Sequence, residues 1–476
     1  MSQENNSRFA ILATLLAFGL VGGISLLLWA LTNRLNPATT VQQSAGTVAS
    51  SDSLPEEVTS RVSAGEEVLF PDSSEAKQEG TAAIAAANYA SAITAFNASL
   101  ADNPNDPESF IYRSNARIGD DSAYTIAVVA PAGAASKIGL EILRGAAQAQ
   151  DVINRSGGIN GMPVKLVLVN DENDPALAQT IAENLVSDPT IIGVVGHYAS
   201  DVTLATAPIY AAGKLVTVTP ASTAVDLSGL SPYLFRTVPS DSFAAAALAA
   251  YMIYYRKDKD VAVYFDASSD LSSSLKEEFK SFVMAWGGNV IGEYDLSQTT
   301  FDPNVQREAE AKGVDSLMIA ASANTLDAAA AVINFNAGAL PILGGDELYN
   351  RVILEEAGRD AQSLTVAVPW HLLSRDTDAD FVSSSRDLWK GDVSWRTATA
   401  YDAVIAIANG LETDASREGL KVALDDRDFS VESATGPINF LPSGDRRQVD
   451  RLVKVEPGNR SGTGYDFIPF TIDFKN

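Results

Sequence analysis

Between residues 124 and 228 short apolar runs alternate with amphipathic helical patterns, and this alternation constrains the fold more than any other feature. The runs at 124–130, 164–169, 191–195 and 215–218 are four to seven residues long and rich in Val and Ile. Runs of that length suit strands buried on both faces of a parallel sheet. Residues 141–154, 176–187 and 202–212 carry apolar side chains at helical spacing between them. Strand and helix in alternation give an α/β layered structure with right-handed crossovers. Ligands of such sheets bind beyond the carboxyl ends of the strands. Two of those ends are small and hydroxyl-rich: Gly196-His197-Tyr198-Ala199-Ser200 and Thr219-Pro220-Ala221-Ser222-Thr223.

Ser200 precedes a helix and is a good N-cap. The amide groups that follow it sit at the positive end of a helix dipole and favour an anion such as a carboxylate. The second loop adds a backbone carbonyl at Ala221 and a hydroxyl at Thr223, with Ser222 between them. The alternative is that these hydroxyls only cap helices.

A set of motifs in order carries a family resemblance. Ser156-Gly157-Gly158-Ile159-Asn160-Gly161 stands before a strand, and Asp171 and Asp174-Pro175 follow it. The two hydroxyl loops come next, then Ala400-Tyr401-Asp402-Ala403. Last come Gly436-Pro437-Ile438-Asn439-Phe440 and Ser443-Gly444-Asp445-Arg446. Over residues 120–476 this order resembles the branched-chain amino-acid-binding family of type I periplasmic binding proteins. The resemblance implies two α/β lobes, at about 120–238 with 369–430 and at about 239–368 with C-terminal segments returning across the hinge, closing on a small ligand. It implies that Ser200, Ala221 and Thr223 hold the α-carboxylate and α-amino groups of an amino acid. It also implies an acidic counter-charge for the ammonium at Asp346, with the adjacent Glu347 able to substitute. Tyr198 and Tyr349 either line the cleft or cover a lobe surface.

Two departures from the family bear on the ligand. Ile138 stands where an aromatic residue is common. Asp266-Ala267-Ser268-Ser269-Asp270-Leu271 stands where a Tyr is common, so that wall is more polar. Asp270 either faces a cationic or hydroxylated ligand or caps the helix from Ser272. In the rest of the second lobe, strands are expected at 261–265, 290–294, 316–320 and 341–343. Helices are expected at 242–255, 275–286 and 328–335. Residues 236–239 form the first crossover, and 365–368 return the chain toward the first lobe. Closure about such crossovers is a hinge motion.

The region before residue 120 is of another kind. Residues 9–31 are apolar and uncharged, long enough to span a bilayer and longer than a signal-peptide core. They read as an uncleaved membrane anchor, with cleavage as the alternative. Residues 32–67 are rich in Ser, Thr, Ala and Gln and read as a flexible tether. Helical patterning returns at 68–119. There Asn88-Tyr89, Ala92, Phe96, Leu100 and Pro104 fall at the spacing of a tetratricopeptide helix, with Ser99 where Ala is usual. A lone repeat cannot bury its faces by itself. It must pack on the binding domain, or serve as a spacer or a partner site. Since every carried-over contact lies beyond residue 130, residues 1–119 are not expected to matter for ligand affinity.

Composition narrows the function. No cysteine is present, so disulfides, thiolate metal sites and a lipidated cysteine are excluded. A net charge of −26 argues against nucleic-acid partners. The chain has just two histidines, His197 and His371, and neither zinc-ligand spacing nor a phosphate-cradling Gly-rich motif. His197 lies beside Ser200 in sequence, but no G-x-S-x-G elbow accompanies it. The expectation is a binding protein, not an enzyme, with no cofactor and no metal. It would be anchored to the cell membrane with its binding domain on the extracytoplasmic, periplasmic side. Its partners would be a small ligand such as an amino acid and an ABC permease. The alternative is a ligand-sensing ectodomain that signals to a partner without transport.

Overall fold

The computed structural model describes residues 56–472 apart from 72, 134, 299–306, 308–310 and 375–376. The apolar stretch 9–31 and most of the tether lie outside the described residues. Among those described, no helix is long and apolar enough to cross a membrane.

The first lobe is built on a six-stranded sheet. Its strands are β1 (Val62–Ser63), β2 (Tyr124–Val129), β3 (Val164–Val169), β4 (Ile191–Val195), β5 (Thr217–Thr219) and β6 (Leu234–Arg236), in the order β1-β3-β2-β4-β5-β6. All pairs are parallel except β1 with β3. Ile126, Val128, Leu166, Leu168 and Val194 are fully buried, as strands covered on both faces require. β5 starts two residues later than the apolar run that predicts it, because Leu215 and Val216 are buried before the parallel ladder begins.

The second lobe has β7 (Asp260–Phe265), β8 (Asn289–Asp295), β9 (Ser316–Ala320), β10 (Ile342–Gly344), β11 (Leu364–Val368), β12 (Arg451–Pro457) and β13 (Tyr465–Pro469), in the order β13-β12-β11-β10-β9-β7-β8. Residues 365–368 were expected to carry the chain toward the first lobe. They instead form most of β11, an interior strand between β10 and β12. Its residues are buried throughout, so a continuous apolar run there means a central strand, not a crossover. The chain leaves this lobe only after Val368. The helices Ala379–Trp389, Trp395–Gly410 and Arg417–Leu424 contribute Phe381, Trp389, Trp395, Val404, Ile407, Leu420 and Leu424 to the first lobe's core.

One packing contact positions the site. The helix Trp395–Gly410 runs against the helix Ser136–Arg155 at Gly145, where an added Cβ would stand 2.2 Å from the Thr397 carbonyl. Only glycine allows that approach. Thr397 Oγ1 donates to the Glu141 carbonyl at 3.0 Å and fixes the alignment.

The segment before β2 belongs to the first lobe's core. Residues 62–67, read as tether, are ordered by pairing: Val62 and Ser63 bond to the edge of β3. A two-residue strand leaves no apolar period to read. The helices Glu75–Ala85, Tyr89–Asp102 and Pro107–Ile118 follow. Phe96, Phe110, Ile111 and Tyr112 are buried in the same cluster as Ile126, Leu143 and Leu166. Asn115 is the pin: its Nδ2 donates to the Leu166 carbonyl at 2.7 Å, and its Oδ1 accepts from Leu166 N at 3.2 Å and Gln150 Nε2 at 2.9 Å. The Phe110 ring meets Trp389 edge-on at 5.6 Å. Within the segment, buried Lys77 is ion-paired with Asp106 at 3.1 Å and Glu108 at 2.6 Å.

Candidate functional site

A cleft of about 960 Å³ opens between the lobes. Its volume is that of a small-molecule site. The first lobe supplies Ile138, Glu141, Arg144, Tyr198, Ser200, Ala221 and Arg396, and the second supplies Asp266, Ser268, Ser269, Glu347 and Tyr349. Most follow strand ends, as the topology requires.

The helix Ser200–Ala212 begins in this wall. Its N-cap is not Ser200 but Ala199, whose side chain cannot cap; within the first turn Asp201 Oδ1 accepts from Val202 N at 2.9 Å. Ser200 Oγ instead accepts from Ala224 N at 3.2 Å and ties the two loops together. The positive helix terminus therefore faces the cleft at Ala199–Asp201 and suits a carboxylate.

Opposite stands Glu347. Its Oε1 accepts from the Tyr198 hydroxyl at 2.9 Å and pairs with Arg396 Nη2 at 2.9 Å. Its Oε2 has no hydrogen-bond partner and is buried. Glu141 approaches the same guanidinium at 3.7 Å, too far for a hydrogen bond but close enough to count as charge. Burial works against the Arg396 cation, but Glu347, Tyr198, Glu141 and Asp346 outweigh it and its pKa is raised. Burial, then the charge of Glu347, pushes the Tyr198 phenol well above its usual range.

Four of the eight residues expected at the site line the cleft: Ile138, Tyr198, Ser200 and Ala221. The other four do not. Asp346 is buried and does not line the cleft, and burial, then the charge of Glu347, pushes its pKa well above its usual value. The cleft-facing acid is its neighbour Glu347. Ser222 Oγ contacts Thr203 Oγ1 at 2.7 Å and donates to the Tyr198 carbonyl at 3.0 Å, which braces the loop. Thr223 is buried, and its carbonyl accepts from Asp241 N at 2.8 Å. Asp270 is exposed in the first turn of the helix Asp270–Ala285, whose cap is Ser269. His197 is fully buried between Asp171, 2.7 Å away, and the Tyr210 hydroxyl, 3.0 Å away, so it makes no pair with Ser200.

Sequence reasoning missed Glu141, Arg144 and Arg396. A signal existed for the last. The helix Trp395–Gly410 is apolar nearly all round, and a cation inside such a helix must find a buried partner.

His371 also lines the cleft, and its Nδ1 accepts from Leu373 N at 3.1 Å. Burial lowers its pKa to about 4. A folded pKa below the unfolded value of about 6.5 stabilises the fold above pH 6.5, and that stability is lost as pH falls toward 4. The loss amounts to about 3 kcal/mol. His371→Gln should therefore flatten the melting temperature between pH 7 and pH 4. An unchanged slope in thermal melts would remove His371 as its source.

Comparisons with known proteins agree with this architecture. The family model described as periplasmic binding protein matches residues 123–456. The Leu/Ile/Val-binding protein BraC3 of Rhizobium johnstonii is 28% identical over 348 residues, 70% of this chain and 92% of that protein. An amino acid binding protein of Pseudomonas aeruginosa is 36% identical, but over only 28% of this chain and 36% of its own length. A leucine-binding protein structure from Thermotoga maritima superposes with a TM-score of 0.63 at 23% identity, covering 73% of this chain and 98% of that one. A Streptococcus pneumoniae branched-chain amino acid transporter substrate-binding protein in complex with isoleucine gives 0.62 at 22%, over 73% of this chain and all of that one. These relatives are binding proteins, not enzymes. With two parallel-sheet lobes, a cleft at their strand ends and a family match over more than half its length, the chain belongs to the periplasmic binding protein family.

Proposed function

We propose that this protein captures an amino acid by lobe closure, outside the cytoplasm and tethered to the membrane by residues 9–31, and delivers it to an ABC permease. One observation carries the ligand reading. A helix start whose N-cap residue makes no side-chain bond, on one lobe, and an unpartnered Glu347 Oε2 on the other line a single cleft. That pairing fits a carboxylate and an ammonium on one small molecule. The ligands of the relatives support an amino acid: Leu/Ile/Val for the Rhizobium protein and isoleucine for the Streptococcus structure. The permease rests on the relatives' transporter context, and the tether on the length of the apolar stretch.

A thermal-shift screen of the full-length chain in detergent tests the reading. An amino acid at a hundred times its dissociation constant should stabilise by about 2.7 kcal/mol. Its des-amino and des-carboxy analogues should not. Equal shifts from those analogues would rule out the two-ended site. N-terminal sequencing of membrane-extracted protein checks the tether, which a mature start beyond residue 31 would remove.

A further inference from the structure

The cleft holds a second, unused set of hydrogen-bonding atoms beside the proposed ammonium site. Arg396 is 2% exposed, and its Nε has no hydrogen-bond partner. Glu141 Oε2 is likewise buried and without a hydrogen bond, 3.7 Å from Arg396 Nη1. The guanidinium is held in place by the Glu347 pair and by the Trp395 ring, 4.4 Å from its centre. Buried polar atoms of this kind are costly unless something satisfies them.

Charge counting decides what that something is. Glu141, Arg396 and Glu347 together carry one net negative charge, and Arg144, in the same wall and near enough to Glu141 to feel its charge, balances it, so an uncharged group fits beside them. An aliphatic side chain would leave Arg396 Nε and Glu141 Oε2 unpaired. A side-chain carboxylate would satisfy Arg396 but add an anion between two glutamates. A terminal carboxamide adds no charge; its oxygen accepts from Arg396 and its NH₂ donates to Glu141. Resting on the amino-acid reading above, we propose that the cleft selects an amino acid whose side chain ends in a carboxamide, with Arg396 and Glu141 as the specificity-determining pair. Ser268 and Ser269, in the second lobe's wall, give a polar setting in keeping with this.

The test is titration calorimetry of the full-length chain in detergent with L-glutamine, L-asparagine, L-glutamate, L-aspartate and L-leucine. The better amide should bind at least about a hundredfold tighter than leucine, because a site built to hydrogen-bond rejects ligands that cannot. It should bind at least about tenfold tighter than its own acid. Glu141 is partly exposed, so Glu141→Gln should fold and should narrow the amide-to-acid gap to near parity. Arg396→Lys keeps the buried charge but loses the planar fork, and should weaken the amide by about tenfold. Leucine binding as tightly as the amides, or an unchanged amide-to-acid ratio in Glu141→Gln, would overturn the proposal and leave the amino-acid reading standing. No binding by any of the five would overturn the proposal too, and the thermal-shift screen would then decide the amino-acid reading.

Discussion

A fragment beginning at residue 120 should melt well below the full-length chain. That boundary is the natural one from composition, yet it cuts through a shared core. Phe110 and Ile111 are buried against the first lobe, and burial of each such side chain contributes about 1.5–3 kcal/mol. Removing the helices before β2 also exposes Leu143 and Leu166 and the Trp389 face that Phe110 covers. The expected cost is about 5 kcal/mol or more. The segment reaches the cleft too, since Arg144 Nε donates to Asn105 Oδ1 at 2.6 Å. Ligand affinity should therefore fall in the fragment, against the expectation drawn from sequence contacts alone. Calorimetric melts of residues 120–476, residues 56–476 and the full chain make the comparison. Coincident melting of the first two would mean that the segment is a passive spacer.

Glu347→Gln should lower amino-acid affinity by about 2–5 kcal/mol, the range for truncating one partner of a buried charge pair. It removes the counter-charge of the ammonium and leaves Arg396 with Glu141 as its nearest remaining acid in the cleft wall. Asp346→Asn, one residue away, should change affinity by less than about 1 kcal/mol. The Asp346 carboxyl is buried and does not line the cleft, and the amide is close to isosteric with it, so the change touches no group that meets the ligand. The contrast between adjacent residues is the informative quantity. Titration of both variants with the ligand found in the screen measures it. A larger loss in Asp346→Asn would place the ammonium on the buried side of the turn and return Asp346 to the site.

The first lobe's strands were legible because their determinants are local. A parallel strand covered on both faces is a short apolar run with no period. The runs at 164–169 and 191–195 match β3 and β4 to the residue. The same rule misled at 365–368, where an equally apolar run was expected to be a crossover. Helix starts were readable where a side chain caps them, as Asp174 does by accepting from Ala176 N and Leu177 N. Others were placed too late, by two residues at Ser200 and by five at Ser136 and Asp270.

By itself, then, the sequence determined the class of fold, the order of its motifs and the two loops that form the first lobe's side of the cleft. Those follow from apolar runs and turn residues that act over a few positions. Only the tertiary structure decided which charges meet. Asp346 and Glu347 lie on one short 3₁₀ turn, where adjacent side chains point different ways, and the packing of the lobes selects which one faces the cleft. Arg396 reaches Glu141 and Glu347 because a glycine at 145 lets two helices touch, and β10 ends opposite them. Charge pairing in a buried site depends on distances of a few ångströms between elements far apart in the chain, and no local pattern encodes them.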